Sequence, residues 1–212
     1  MSTTTSKLGQ AYDSLFFECM NRDARRSAEV VLPLLAHSLN IHSVIDFGCG
    51  SGEWLRVWKR LSAEQVVGID GDFVDRQSLR IDANEFLAAD LREPVDLQRQ
   101  FDLVQSLEVA EHLPESCAES FIDTLVAHGG KILFSAAVPG QLGMQHINEQ
   151  PYEYWRDKFA QRGYVLLDWI RPQLATRREV AFWYRYNLLL FVQQDELTSL
   201  PSELQESQVP PE

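Results

Sequence analysis

The sequence predicts an α/β fold with a doubly wound sheet, on three observations. Residues 44–47 are apolar except for Asp46, suit a buried parallel strand, and lead directly into glycines at alternate positions. Further short apolar runs with an acid at or just beyond their ends lie within residues 66–70, 85–91 and 101–107. Segments with helical spacing of apolar residues separate several of these runs, which is typical of a parallel sheet covered by helices.

Gly48, Gly50 and Gly52 allow the backbone to turn sharply and to approach a ligand where any Cβ would collide. Dinucleotide-binding proteins use the spacing G-x-G-x-x-G, but here Glu53 stands at the place of the third glycine. The loop therefore favours a nucleotide-like ligand other than NAD. An ordinary tight turn between a strand and a helix is the alternative.

Periodicity and stop signals predict the remaining elements. Trp54, Trp58 and Leu61 recur at helical spacing, which indicates core packing rather than contact with a ligand. The pair Gly129 and Gly130 ends a helix predicted around residues 115–128. Later elements are expected as a strand at 131–138, a helix at 152–163, a sixth strand near 164–170 and a seventh near 181–192.

Two acids follow successive predicted strands, where a doubly wound sheet places ligand contacts. Asp70 ends the second strand roughly 20 residues beyond the glycine loop, where a carboxylate can accept hydrogen bonds from both ribose hydroxyls. Asp70 could instead cap a helix, for which Asp72 competes. Asp90 ends the third strand, although its surroundings also read as a helix start.

In their order, these motifs resemble those of class I S-adenosylmethionine (SAM)-dependent methyltransferases. The resemblance implies a single-domain, three-layer α/β/α sandwich with a seven-stranded, mostly parallel sheet whose last strand is antiparallel and forms a hairpin with the sixth. It also implies SAM as cofactor and S-adenosylhomocysteine as product. The cofactor-binding residues that it implies are Asp46, Gly48, Gly50, Gly52, Asp70, Gly71, Asp90, Leu91, Ser106 and Glu108.

The segment after the fourth strand, E-V-A-E-H, resembles small-molecule methyltransferases in which a glutamate and a histidine act together. We therefore assign catalytic roles to Glu111, His112 and His146, the last of which lies in a loop behind Gly140 and Gly143. Histidine suits a general base because its unperturbed pKa lies near the working pH. Structural histidines, and a Glu111 that only complements a helix dipole, are the alternatives. No metal is assigned to the site.

The later motifs look like a bacterial group of small methyltransferases from glycan and natural-product pathways. We therefore expect O-methylation of a small hydroxylated metabolite or sugar derivative. N-methylation of a small amine is the close alternative. A non-catalytic SAM-binding scaffold and an aminopropyltransferase on the same fold remain open, and detection of methylthioadenosine as product would identify the latter.

Composition limits the partners. The chain has 212 residues, of which 45% are hydrophobic, enough for one well-buried domain. Its net charge of -12 argues against a nucleic-acid substrate, and no apolar run is long enough to span a bilayer. Cys19, Cys49 and Cys117 lack metal-ligand or C-x-x-C spacing, which indicates a reduced, cytoplasmic location. We expect a small-molecule acceptor, no nucleic acid and no membrane, and leave a homodimer open.

Three segments organise the chain. Residues 1–40 hold a helical region, about 10–39, which Pro33 is expected to interrupt. This region folds over the site as a lid or packs on the sheet. Residues 41–194 form the SAM-binding core, and residues 195–212, rich in Ser, Glu, Gln and Pro, are expected to be disordered. The apolar stripe of the first segment comprises Tyr12, Phe16, Phe17 and Met20.

Overall fold

A computed structural model describes the backbone of residues 7–61 and 63–210, with side chains from Cys19 onward. Its centre is one seven-stranded sheet in the order β3-β2-β1-β4-β5-β7-β6. The strands are β1 (Ser43–Phe47), β2 (Gln65–Asp70), β3 (Phe86–Ala88), β4 (Leu103–Leu107), β5 (Lys131–Ser135), β6 (Tyr164–Leu167) and β7 (Leu189–Gln193).

Strands β1 to β5 are parallel, whereas β7 lies between β5 and β6 and is antiparallel to both. The predicted fold class, including the antiparallel last strand and its pairing with the sixth, is therefore confirmed. The strand order reverses between β1 and β4, and ligands of doubly wound sheets bind outside the carboxyl ends of the strands at such a point.

Helices cover both faces of the sheet. Alternate side chains of β1 enter two separate hydrophobic clusters: Val44 joins one, and Ile45 and Phe47 join the other. The first cluster contains residues of α1, α2, α5, α6 and α7, and the second contains those of α3 and α4. The helices are α1 (Lys7–Ser38), α2 (Glu53–Leu61), α3 (Ala118–Val126), α4 (Tyr152–Ala160), α5 (Ile170–Leu174), α6 (Phe182–Asn187) and α7 (Ser202–Gln205).

The first helix continues through Pro33, so the expected interruption is wrong. Pro33 and Glu29, whose carbonyl loses its partner at this proline, lie on the exposed side. The opposite side is buried against the core on both sides of the proline, and this packing holds the helix together. The buried residues of that side are Ala28, Val31, Leu32 and Leu35.

The apolar stripe of α1 was expected either to cover the site as a lid or to pack on the sheet. The side chains of Tyr12, Phe16 and Phe17 lie outside the described residues. Met20, 36% exposed, faces the cavity described below, while the later part of the helix packs on the core. The described side chains of α1 thus belong to a packed helix, and Met20 among them reaches the site.

The expected disorder of residues 195–212 is wrong for the described part, which extends to residue 210. Leu197, Leu200 and Leu204 are buried in the first hydrophobic cluster. The N–H of Val209 donates to the carbonyl of Leu166 at 2.9 Å, which fastens the segment to β6. A polar composition does not prevent order here because the widely spaced leucines find a shared apolar surface.

The seventh strand is shorter than expected. The region predicted as one strand near 181–192 contains α6, and the strand begins only at Leu189. The aromatic residues of this region are typical of a strand. They instead form a helix, in which Tyr184 is buried in the core. Among the described residues, no helix combines the length and the apolar character needed to cross a lipid bilayer.

The C-terminal packing is testable by Leu204→Ala. Leu204 is fully buried, and removing a buried leucine side chain leaves a cavity, so we expect the free energy of unfolding to fall by about 2–5 kcal/mol in urea titrations. The matched control is Leu142→Ala, because Leu142 is 81% exposed and its truncation should change stability by about 0.5 kcal/mol or less. Equal stability of the two variants would contradict an ordered terminal segment.

Candidate active site

The glycine loop follows β1 at the switch point of the sheet. Gly48, Gly50 and Gly52 have φ angles of +85°, +54° and +85°, a region that favours glycine. A Cβ on Gly48 would come within 2.2 Å of Val109, whereas a Cβ on Gly50 would meet no atom within 4 Å. The loop therefore packs tightly at Gly48 and is open at Gly50.

The open side of this loop borders a cavity of about 130 Å³. The loop, the first turn of α2 and the beginning of the described side chains of α1 surround it, together with Leu107 at the end of β4. Tyr184 on α6 and Trp54 on α2 also line it. The expectation that Trp54 has only a packing role is therefore incomplete, since this buried side chain also borders the cavity.

Asp46 is buried at the base of the cavity. Gln105 Nε2 donates to its Oδ2 at 3.0 Å, and Trp58 Nε1 donates to Gln105 Oε1 at 3.2 Å. Burial, and secondarily the charge of Asp70, raises the pKa of Asp46 to about 8. Gln105 is not among the residues predicted from the sequence, although a polar residue inside the apolar strand β4 is a usable signal. Trp58 is fully buried, as expected.

Asp70 links the end of β2 to the glycine loop. Its Oδ2 accepts the N–H of Gly50 at 2.7 Å, and its Oδ1 accepts the N–H of Gly71 at 2.6 Å. Burial raises the pKa of Asp70 despite these two bonds. The structure thus brings together the candidates Asp46, Gly50, Asp70 and Gly71 at one edge of the sheet.

The remaining cofactor candidates, Asp90, Leu91 and Ser106, do not lie together. Asp90 is exposed and accepts a hydrogen bond from Arg92 Nε at 2.9 Å, and this pairing lowers the pKa of Asp90 to about 2. Leu91 is buried in the second hydrophobic cluster. Ser106 is fully buried on β4, and its Oγ has no hydrogen-bond partner among the described residues. The cofactor contacts of Asp90 and Leu91 stay predictions.

Glu108 leaves β4 with a φ of +56°, unusual for a residue with a side chain. Its N–H donates to the carbonyl of Ser135 at 2.9 Å. Gln141 Nε2 and Asn187 Nδ2 donate to its carboxylate at 3.0 and 3.1 Å. Burial raises the pKa of Glu108. These bonds tie β4 to the loop after β5 and to the end of α6, and so hold Glu108 in place.

Glu111 is fully buried one turn later, and neither of its carboxylate oxygens has a hydrogen-bond partner of normal geometry among the described residues. Burial, followed by the charge of Glu108, raises the pKa of Glu111 to about 8. The backbone N–H groups of Glu111 and Ala137 lower the pKa of Glu111, but by less than burial raises it. A buried carboxylate without a hydrogen bond of normal geometry is costly, so it points to a functional role.

His112 and His146, 34 positions apart in sequence, lie beside Glu111. Their ring centroids are 4.9 Å apart with an interplanar angle of 83°. His112 Nδ1 lies 3.2 Å from the carbonyl oxygen of Gln145, and His146 Nδ1 lies 2.9 Å from Glu149 Oε1. Burial lowers the pKa of His112. The three predicted catalytic residues therefore form one cluster.

The ligand-type atoms of this cluster lie within 4.8 Å of one another. The sequence analysis assigned no metal ligands, whereas this geometry provides one carboxylate and two imidazoles that could hold a metal ion. Sequence spacing gave no such signal because one histidine belongs to a distant loop that only the fold returns to β4.

The loop that carries His146 is held by hydrogen bonds to the backbone of Glu111 and to the side chain of Glu149. The N–H groups of Ile147 and Asn148 donate to the carbonyl of Glu111 at 2.9 and 3.0 Å. Glu149 accepts the N–H groups of Gly140 and Leu142 at 2.8 and 2.9 Å as well as its contact with His146, which lowers the pKa of Glu149. The spacing of three residues between His146 and Glu149 was the signal that the sequence analysis did not use.

Comparisons with known proteins agree with this arrangement. Residues 20–178, well over half of the chain, match the family described as "Methyltransferase domain". The ubiquinone biosynthesis O-methyltransferase of Rhodopseudomonas palustris (strain BisB5) is 36% identical over 75 residues, which are 33% of this chain and 29% of that protein. The chain therefore spans under a third of the length of the curated relatives it matches.

Two solved structures share the fold. Streptomyces venezuelae DesVI superposes with a TM-score of 0.64 at 14% identity, over 89% of this chain and 99% of that one. The magnesium protoporphyrin IX methyltransferase (ChlM) from Synechocystis PCC 6803, solved with bound SAM, gives a TM-score of 0.58 at 19% identity, over 81% of this chain and 80% of that one. The two structures show a shared fold, and the family match over most of the chain shows that the chain belongs to the methyltransferase domain family.

Proposed function

We propose that the protein transfers the methyl group of SAM to a hydroxyl group of a small metabolite or sugar derivative. The observation that carries this proposal is the cluster of Glu111, His112 and His146 at the carboxyl edge of the sheet. This cluster lies at the end of the same strand whose last residue, Leu107, borders the cavity beside the glycine loop. A cofactor site and a group able to promote proton removal thus meet along β4.

The residues around the glycine loop suit the cofactor. Gly50 leaves open space where a Cβ would point, Asp46 lines the cavity, and the buried Asp70 accepts the N–H of Gly50. Asp70 would accept the ribose hydroxyls, while Gly48 and Gly50 would let the cofactor approach the backbone. SAM supplies a methyl group activated on a sulfonium and leaves as S-adenosylhomocysteine. The cationic sulfonium is compatible with a site lined by carboxylates.

The histidine geometry suits removal of a proton from an acceptor hydroxyl. A carbonyl oxygen can only accept a hydrogen bond, so His112 Nδ1 carries the hydrogen in its contact with Gln145, and Nε2 keeps a lone pair. The carboxylate of Glu149 accepts a hydrogen bond from His146 Nδ1, so this ring also carries its hydrogen on Nδ1. Either Nε2 can therefore accept the proton of a hydroxyl group as a general base.

An O-directed reaction is also favoured by the relatives, which are named for O-methylation in ubiquinone biosynthesis. An amine acceptor is the second candidate, because the partly buried Glu108 and the buried Glu111 would attract an amine in its ammonium form. Mass spectrometry of a cell extract incubated with isotopically labelled SAM distinguishes the two, since the labelled product reveals the methylated atom. Absence of any labelled product would favour a non-catalytic SAM-binding scaffold.

The ribose assignment of Asp70 is testable by titration calorimetry with SAM and S-adenosylhomocysteine. Asp70→Ala removes charge-assisted hydrogen bonds of about 1.5–3 kcal/mol each, so we expect affinity to fall at least about tenfold. Asp72→Ala is the matched control, because its side chain is 94% exposed and should leave affinity unchanged. Unchanged affinity of Asp70→Ala would contradict the ribose contact.

The role of the histidines is testable by single-turnover methyl transfer at saturating SAM. Loss of a general base costs about 10²- to 10⁴-fold in rate, so we expect His112→Ala, His146→Ala or both to fall within that range while SAM affinity is kept. Glu111→Gln should lower turnover by about tenfold or more.

His42→Ala serves as the control for these variants, because its side chain is 51% exposed and lies outside the cluster. A decrease of less than tenfold in both histidine variants would exclude the two histidines from proton removal. It would favour an amine or an already ionised acceptor.

A further inference from the structure

We propose that Tyr184 and Trp54 form an aromatic wall that binds the positively charged sulfonium of SAM and so distinguishes SAM from S-adenosylhomocysteine, whose sulfur carries no charge. The inference rests on the proposed function, because it takes the cavity beside the glycine loop as the place of the sulfonium. It assigns a cofactor contact to α6, which lies beyond the residues 20–178 of the family match.

The cavity lies on the β4 side of the glycine loop. Its lining includes Leu107 at the end of β4, whereas Asp70, which would accept the ribose hydroxyls, binds the N–H of Gly50 from the end of β2. The sulfonium of SAM is attached next to the ribose, and its methyl group must reach the cluster that follows β4. The part of the cofactor between ribose and acceptor would therefore occupy this cavity.

Two aromatic side chains line the cavity. Trp54 belongs to the first turn of α2 and Tyr184 to α6, and both are buried. Their ring centroids are 5.0 Å apart, with an interplanar angle of 73°. Because such an edge-to-face contact favours one mutual orientation, each ring restrains the other. A ligand in the cavity would thus meet an ordered aromatic surface.

The charges around the rings favour a cation. Asp46 and Glu53 also line the cavity. Glu53 is paired with Arg56 and Arg80, at 3.7 and 3.4 Å. Asp46 accepts its hydrogen bond from the uncharged Gln105 and has no cationic partner in the described part of the chain. The cavity therefore has a carboxylate that a positively charged ligand can neutralise.

An aromatic ring adds a second attraction for positive charge. The face of a tyrosine or tryptophan ring carries partial negative charge and attracts cations, most strongly where water is excluded. The neutral sulfur of S-adenosylhomocysteine lacks this attraction. A carboxylate and two rings in one cavity would therefore bind the cofactor more tightly than the product.

The phenol of Tyr184 is held in its neutral form. Burial, followed by the charge of Glu108, raises the pKa of Tyr184, and the charge of Asp46 acts in the same direction. The contact with the sulfonium would consequently come from the ring and not from a phenolate. Because both carboxylates act on this phenol, Tyr184 lies close to the cofactor cavity and to Glu108 alike.

Polar contacts fix α6 at the end of β4. Asn187 lies three residues after Tyr184, on the same side of the helix. Its Nδ2 donates to Glu108 Oε1 at 3.1 Å and to Gln141 Oε1 at 2.8 Å. The hydroxyl of Tyr152 donates to the carbonyl of Tyr186 at 2.9 Å. The helix thus holds the ring of Tyr184 beside the cavity before a cofactor binds.

The test is titration calorimetry with SAM and with S-adenosylhomocysteine on the same preparations. The two ligands differ by one methyl group and one positive charge, so damage to the fold weakens both, whereas loss of the ring weakens SAM alone. We expect Tyr184→Leu to lower the affinity for SAM relative to S-adenosylhomocysteine by at least about threefold. Tyr184→Phe keeps the ring and should keep the ratio of the parent protein.

Phe182→Leu is the matched control, because Phe182 is an exposed aromatic residue of the same helix that does not line the cavity. It should leave the ratio unchanged. If Tyr184→Leu fails to fold, replacement of Tyr184 by pentafluorophenylalanine keeps the shape of the ring and removes the negative charge of its face. This variant should lower the ratio relative to Tyr184→Phe.

The outcomes separate this inference from the proposed function. The ratio of the parent protein in the fluorinated variant, or in a folded Tyr184→Leu, would overturn the aromatic contact and leave SAM binding to the loop and the acids. Equal losses for both ligands in Tyr184→Phe would assign the contact to the hydroxyl and also overturn it. A parent protein that binds neither ligand would overturn the cofactor site itself. A lowered ratio that is confined to the variants without the tyrosine ring face would support the wall.

Discussion

The parallel arrangement of β1, β2, β4 and β5 is the constraint on which the site depends. Parallel strands bring their carboxyl ends to one edge, so Asp46, Asp70 and Glu108 meet although they come from three strands. The hydrogen bond of Asp70 with Gly50 then joins neighbouring strand ends, and the bond with the adjacent Gly71 fixes the carboxylate. The glycine loop is thereby held open on the side of the cavity, and a ligand can approach its backbone without a side chain in the way.

A second set of contacts holds the cluster of Glu111, His112 and His146 against these strand ends. The unusual backbone of Glu108 turns the chain out of β4, and its carboxylate is bound by Gln141 and Asn187. The carbonyl of Glu111 holds the loop that carries His146. Because β4 contributes to both halves, displacement of this strand end would disturb the cavity and the histidine cluster together. This shared element explains how cofactor and acceptor can be positioned relative to each other.

Buried acids are concentrated at this edge of the sheet, and their environments differ. Asp46 accepts a hydrogen bond from Gln105, which in turn accepts one from Trp58. Asp70 accepts hydrogen bonds from two backbone N–H groups. Glu111 lacks comparable support, and that distinguishes it from its neighbours. Burial raises the pKa of all three carboxyls, so the protein maintains a set of costly groups at the place where a cationic cofactor and a polar acceptor are expected.

The sequence by itself determined the fold class, the glycine loop and the strand-end acids, because strand periodicity and glycine placement are local properties. It also singled out Glu111, His112 and His146. Only the tertiary structure decided that His146 returns to β4, that Glu111 is buried without a hydrogen bond of normal geometry, and that Gln105 supports Asp46. It likewise decided that Pro33 lies within a continuous helix and that the terminal leucines are ordered. These outcomes depend on contacts between distant segments, and local pattern does not encode which surfaces will meet.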